Sequence, residues 1–80
     1  MKYMKTKILF FGQLIDITGT KELTIDKVAD TDALTIILHQ QFPQLSQSKY
    51  LIAVDQEVIS GRKNLEDNCI VALMPPFSGG

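Results

Sequence analysis

The chain has 80 residues, 45% hydrophobic and 21% charged, with a formal net charge of −1 at pH 7. That describes one small domain, near the lower size limit for folding unaided, with no basic surplus to make nucleic acid an expected partner. A single cysteine allows no internal disulfide, and no apolar run reaches the ~18 residues of a membrane span.

Residues 5–11 (Lys-Thr-Lys-Ile-Leu-Phe-Phe) read as a strand, rich in β-branched and aromatic side chains. Alternation puts Thr6, Ile8 and Phe10 on one face and Lys5, Lys7, Leu9 and Phe11 on the other. The lysines mark the second face as outward. Ile8 and Phe10 therefore belong to the core, while Leu9 and Phe11 carry an apolar patch towards solvent. Gly12 breaks the run, residues 13–18 supply one or two helical turns, and Gly19 stops them. Residues 21–25 alternate again, with Leu23 and Ile25 inward.

Asp30 or Thr31 caps the main helix, predicted over roughly 31–42, with Asp32 in the first turn where a carboxylate meets the positive helix end. Leu34, Ile37, Leu38 and Phe42 fall at helical spacing, and Pro43 ends the run. His39 lies off that stripe with no second ligand at metal spacing. It reads as a solvated helix residue, and no metal site is expected. Residues 43–50 read as loop, with Leu45 and Tyr50 tucked under. Strands over 51–54 and 57–60 flank Asp55-Gln56, a hairpin whose turn lacks the favourable Asn-Gly chemistry. Gly61 to Asn64 is a second turn and Leu65 an anchor. Glu66-Asp67-Asn68, with Asn68 tolerant of positive φ, leads into a last strand over 69–74. There Cys69, Val71 and Leu73 share one face, and Ile70, Ala72 and Met74 the other.

Short turns between consecutive strands favour antiparallel pairing, and the single long helix must cover the sheet. The prediction is an α+β roll with the first and last strands, which carry the longest apolar runs, adjacent at its centre. The domain spans 1–74, and residues 75–80 form a flexible, extended tail.

No nucleophile-base pair is available, because the one histidine, His39, has no Ser or Cys beside it. Cys69 reads as a small buried hydrophobe, and no glycine-rich loop has phosphate-binding spacing. The domain alone therefore has no catalytic side chain and binds no cofactor. What remains is its end, Pro75-Pro76-Phe77-Ser78-Gly79-Gly80. Prolines stop the ladder and keep the chain extended, and two residues without side chains carry the terminal carboxylate. Most chain ends are merely frayed, but few follow a strand, a stiff Pro-Pro and an aromatic. A carboxylate is a poor electrophile that becomes a good one when adenylated, and a thin tail lets it reach a nucleotide pocket in another protein. Ordering six residues costs on the order of 6–12 kcal/mol. The prolines reduce that cost, and Phe77 entering a pocket offsets about 2–3 kcal/mol. Phe11, Val58 and Met74, outward and apolar, are the expected docking surface, with Phe11 and Met74 at the tail's end of the sheet.

Several stretches resemble one family: residues 7–14 (Lys-Ile-Leu-Phe-Phe-Gly-Gln-Leu), Gly19-Thr20, Phe42-Pro43, residues 52–56 (Ile-Ala-Val-Asp-Gln), and the close, Val71-Ala-Leu-Met-Pro-Pro-Phe-Ser-Gly-Gly80. Together they resemble the small subunit of molybdopterin synthase, a sulfur carrier of the β-grasp, ubiquitin-like fold. Phe77 stands where that family commonly has Val, Asp55 where it has Asn, and Asn68 where Gly is usual. The resemblance implies a mixed sheet of about five strands on one helix. It also implies that an E1-like enzyme adenylates Gly80 with Mg-ATP and that a persulfide donor converts it to a thiocarboxylate. The tail residues Pro75, Pro76, Phe77, Ser78 and Gly79 then thread into the large synthase subunit. There the sulfur passes to cyclic pyranopterin monophosphate, building the dithiolene of molybdopterin inside a heterotetramer. The rivals are a sulfur carrier for thiamine thiazole synthesis, a modifier conjugated to lysines, and a plain interaction domain with inert terminal glycines. Lacking a signal peptide's apolar core at its start, and free of disulfides, the chain is expected to be cytoplasmic.

Overall fold

A computed structural model describes residues 5–76. Its elements are β1 (Lys5–Phe10), α1 (Gln13–Thr18), β2 (Glu22–Asp26), α2 (Thr31–Gln41), a 3₁₀ segment (Pro43–Gln47), β3 (Leu51–Val54), β4 (Glu57–Val58) and β5 (Cys69–Met74). The five strands form one mixed sheet in the order β2-β1-β5-β3-β4. The two central strands are the first and last in sequence, and they run parallel, with Thr6 opposite Cys69 and Phe10 opposite Leu73. The other pairings are antiparallel.

Alternation decides which side is buried. Thr6, Ile8 and Phe10 of β1 and Cys69, Val71 and Leu73 of β5 are all at most 3% exposed. Register pairs share a face, so these six make the floor of the core. Leu34 and Leu38 of α2 close over it, and Leu14 of α1, Leu45 of the 3₁₀ segment, Ile25, Val28, Val54 and Leu65 belong to the same cluster. Phe42 meets Phe10 edge to face, with ring centroids 6.1 Å apart. The one polar pair in this floor is self-satisfied: the Cys69 thiol faces the Thr6 hydroxyl oxygen at 3.8 Å. Cys69 is thus the small buried hydrophobe its strand position predicts.

Local chemistry explains most boundaries. Asp30 caps α2, its carboxylate accepting the Ala33 N–H at 2.8 Å. Gly19 ends α1 in the left-handed conformation (φ 77°), and its N–H reaches the Ile15 carbonyl at 2.7 Å. Asn68 adopts φ 64°, as the turn into β5 requires, and its N–H returns to the Lys5 carbonyl at 2.8 Å.

The main helix stops at Gln41, within the predicted bounds, because the residue before a proline is driven out of the helical region, and Phe42 sits at φ −130°, ψ 81°. Three expectations are corrected. Residues 43–47, read as loop, coil into the 3₁₀ segment, with Pro43 supplying the first φ and Leu45 buried. β4 is two residues rather than four, although the Ile59 N–H still reaches the Ile52 carbonyl at 2.9 Å. The chain then bends away at Gly61 (φ 80°). His39 is half-buried rather than solvated, its Nε2 lying 2.7 Å from the Tyr50 hydroxyl. Burial pushes the Tyr50 phenol above its ordinary pKa of 10.0, against a smaller lowering by a hydrogen bond with Thr35.

Candidate functional site

One face of the sheet lies under α2, and the other carries no helix among the described residues. Its make-up follows from register alone. At the end where β5 runs out, the positions cross the sheet as Phe11, Met74 and Leu51, because the Phe11 N–H bonds the Leu73 carbonyl at 3.1 Å and Leu51 is the register partner of Met74. One pleat back come Leu9, Ala72, Ala53 and Val58, and one further back Lys7 and Ile70. Phe11 is 44% exposed, Leu51 39%, Ile70 42% and Val58 61%. Isolated apolar residues on a surface need no explanation; here they form a contiguous set in register. Towards β2 the same face turns charged, with Lys5 opposite Asp26 and Leu9 opposite Glu22.

The structure thus brings the three sequence-predicted docking residues onto one face, though not into one cluster. Phe11 and Met74 share a row, whereas Val58 stands three strands from β1, about 14 Å across the sheet. Leu51 and Ile70 complete the surface. Ile70 was legible from the parity of β5. Leu51 was hidden in an unbroken apolar run, Leu-Ile-Ala-Val, whose two faces cannot be told apart without the β3–β5 register. A shallow hollow lined by Leu9, Asp55, Gln56, Ile70 and Ala72 lies at the middle of this face.

The β3–β4 turn at its edge is held from outside the hairpin. Asp55 and Gln56 take φ 49° and 74°, the pair of positive values that a two-residue turn of the favoured twist needs. Asp tolerates that conformation better than Gln does, and Asp55 is further held by β5. Its N–H donates to the Ile70 carbonyl at 2.8 Å, and its carboxylate accepts the Ile70 N–H at 3.0 Å. A side-chain oxygen there does the work of one more ladder rung.

Beyond Met74 the chain has two described residues, the half-buried Pro75 and the exposed Pro76. Phe77, Ser78, Gly79 and Gly80, expected to thread a partner and to react, lie outside the described residues. Among the described residues no group of His, Cys, Asp and Glu could hold a metal, and no helix is long and apolar enough to cross a membrane. His39 and Tyr50 contact each other edge to face and are tied into the helix side of the fold, away from the open face.

Comparison with known proteins agrees with this geometry. The ThiS family model matches residues 8–80. A molybdopterin synthase sulfur carrier subunit from Caenorhabditis briggsae is 36% identical over 83 residues, covering 96% of this chain and 99% of the relative. Among solved structures, a putative molybdopterin converting factor subunit 1 from Pyrococcus furiosus superposes with a TM-score of 0.86 at 20% identity, covering 92% of this chain and 99% of that one. A chain from the Helicobacter pylori complex of subunits 1 and 2 of molybdopterin-converting factor gives 0.74 at 25% identity, covering 96% and 100%.

Proposed function

The chain belongs to the ThiS family, and from that premise we propose that it is a sulfur carrier in molybdenum cofactor biosynthesis whose working group is the carboxylate of Gly80. The observation that carries this reading is the convergence at one end of the sheet. An apolar row, Phe11, Met74 and Leu51, ends where Pro75 and Pro76 lead the chain off β5. A rigid body with a sticky face beside a narrow tail suits a protein that others grip while they work on its terminus. The sulfur carrier relatives and the two-subunit complex support the same role.

The cycle follows from carboxylate chemistry. An E1-like activating enzyme docks on the open face and transfers AMP from Mg-ATP to Gly80, releasing pyrophosphate. The acyl-adenylate replaces an oxyanion that repels nucleophiles with a good leaving group. The terminal sulfur of a persulfide donor attacks the acyl carbon and expels AMP. A thiol then cleaves the resulting acyl disulfide, leaving the Gly80 thiocarboxylate and an oxidised donor. The same face next binds the large subunit of molybdopterin synthase. The tail, Pro75 to Gly79, delivers the thiocarboxylate to cyclic pyranopterin monophosphate; two such deliveries build the dithiolene of molybdopterin. Catalytic side chains are the large subunit's, and Gly80 is this chain's reacting residue. Residues 1–74 are the folded carrier and 75–80 the tail.

The test is reconstitution. Activated carrier mixed with large subunit and cyclic pyranopterin monophosphate is expected to yield molybdopterin and return the carrier to its carboxylate form. Activated carrier that sheds no sulfur to the precursor, but does serve thiazole formation, moves the chain to the thiamine pathway. Stable adducts on lysines would make it a protein modifier.

A further inference from the structure

Gly12 lies between the exposed Phe11 and the first turn of α1, with φ 60° and ψ −138°, a conformation that residues with a Cβ rarely adopt. It also lies against the chain just past the end of β5. A Cβ on Gly12 would stand 2.8 Å from Pro75 Cγ and 3.4 Å from Pro75 Cδ. The atoms it would strike belong to a ring fused to the backbone, so the ring cannot swing aside as a long side chain would. Moving the ring moves the chain.

That contact comes where the sheet lets go. The last bond between the central strands is from the Phe11 N–H to the Leu73 carbonyl at 3.1 Å, and Met74 is the last residue of β5. Pro75 has no N–H with which to continue the ladder. Pro75 is half-buried and Pro76 exposed, so among the described residues Pro75 is the last that packs on the body. We propose that Gly12 is a positioning residue: its bare backbone seats the Pro75 ring and so sets the direction the chain takes from Pro75 to Pro76. The inference rests on the carrier reading above, and it ties tail direction to docking, because Phe11, the neighbour of Gly12, is part of the surface a partner grips. A partner that fixes Phe11 thereby fixes the start of the tail.

The test is a cycle of Gly12→Ala, Pro75→Ala and the double variant. It compares partner affinity with the rate at which Gly80 becomes a thiocarboxylate in the presence of activating enzyme, ATP and hydrosulfide. Displacing a reacting group by about 1 Å can cost 100-fold; we expect Gly12→Ala to lose roughly 10-fold or more in rate, with its affinity for the activating enzyme unchanged. Removing the ring should relieve the clash, so the double variant should recover from the Gly12→Ala rate towards that of Pro75→Ala alone, short of it by the cost of an alanine at φ 60°. A Gly12→Ala rate equal to wild type overturns the proposal. So does a double variant no faster than Gly12→Ala, since the loss would then belong to the backbone at residue 12 and not to the seat. In parallel, an NMR contact between the Gly12 Hα and Pro75 Hγ protons is expected in the wild-type chain and lost in Gly12→Ala, and its absence from wild type also overturns the seat. Should wild type itself fail to be converted, the carrier reading falls and the NMR measurement alone decides whether Pro75 sits on Gly12.

Discussion

Replacing Phe11 by Arg should separate docking from folding. Phe11 is 44% exposed. With roughly 200 Å² for an aromatic side chain, about 90 Å² is left for a partner to cover. At about 25 cal/mol per Å² that area contributes about 2 kcal/mol, or roughly 30-fold in Kd. A guanidinium in an apolar interface adds a desolvation penalty, so the loss should be at least that large. Folding should suffer less. The half of Phe11 already covered rests at the end of the sheet and not in the core, and the aliphatic stem of Arg can cover part of the same surface. A stability loss of about 1 kcal/mol would lower Tm by about 4–8 °C in a domain of this size. Calorimetric titration against the large subunit and against the activating enzyme measures the first effect, and a thermal melt the second. Unchanged affinity for both partners would refute the docking surface. A Tm collapse several times that size would show that Phe11 holds the fold together instead.

Asp55→Ala should cost about 1–2 kcal/mol, since it removes the acceptor for the Ile70 N–H and leaves an alanine at φ 49°; Asp55→Asn, which keeps an oxygen and tolerates that φ, should be nearly neutral in urea unfolding. Asp30→Ala removes the oxygen that caps the Ala33 N–H at 2.8 Å and should destabilise by about 1 kcal/mol, read as a lower unfolding midpoint with an unchanged m-value. Because burial raises the Tyr50 pKa, the folded chain holds that proton more tightly than the unfolded chain does. Its contribution is complete below the ordinary value of 10.0 and is lost as pH rises through the higher folded value. Stability measured across that alkaline range should therefore fall less steeply in Tyr50→Phe than in wild type.

Much of the fold was legible because it rests on short-range rules. Parity along β1 and β5 separates Ile8, Phe10, Val71 and Leu73 from Leu9, Ile70 and Met74 with no knowledge of pairing. The Asp30 cap and the Gly19 stop are equally local. What could not be read depends on residues distant in sequence. The unfavourable Asp55-Gln56 turn is rescued by Ile70, and His39 finds Tyr50 across a 3₁₀ segment. Lys27 adopts φ 62° with no glycine to announce it. At the site, the tail motif and Phe11 stood out as sequence, whereas Leu51 needed the β3–β5 register, and the approach of Gly12 to Pro75 joins opposite ends of the chain. A pattern can say which face a residue occupies; only the assembled sheet says what stands opposite.

The fate of one oxygen is the most direct test of the Gly80 carboxylate. The chain, incubated with ATP, its activating enzyme and hydrosulfide, should gain the mass of a single oxygen-for-sulfur exchange, and fragmentation should place the sulfur on Gly80. A chain carrying one extra residue after Gly80 should gain none while keeping the same melting temperature. Equal sulfur uptake by the extended chain, or a wild-type terminus that ATP leaves untouched, would contradict the claim that this protein works through its own carboxylate.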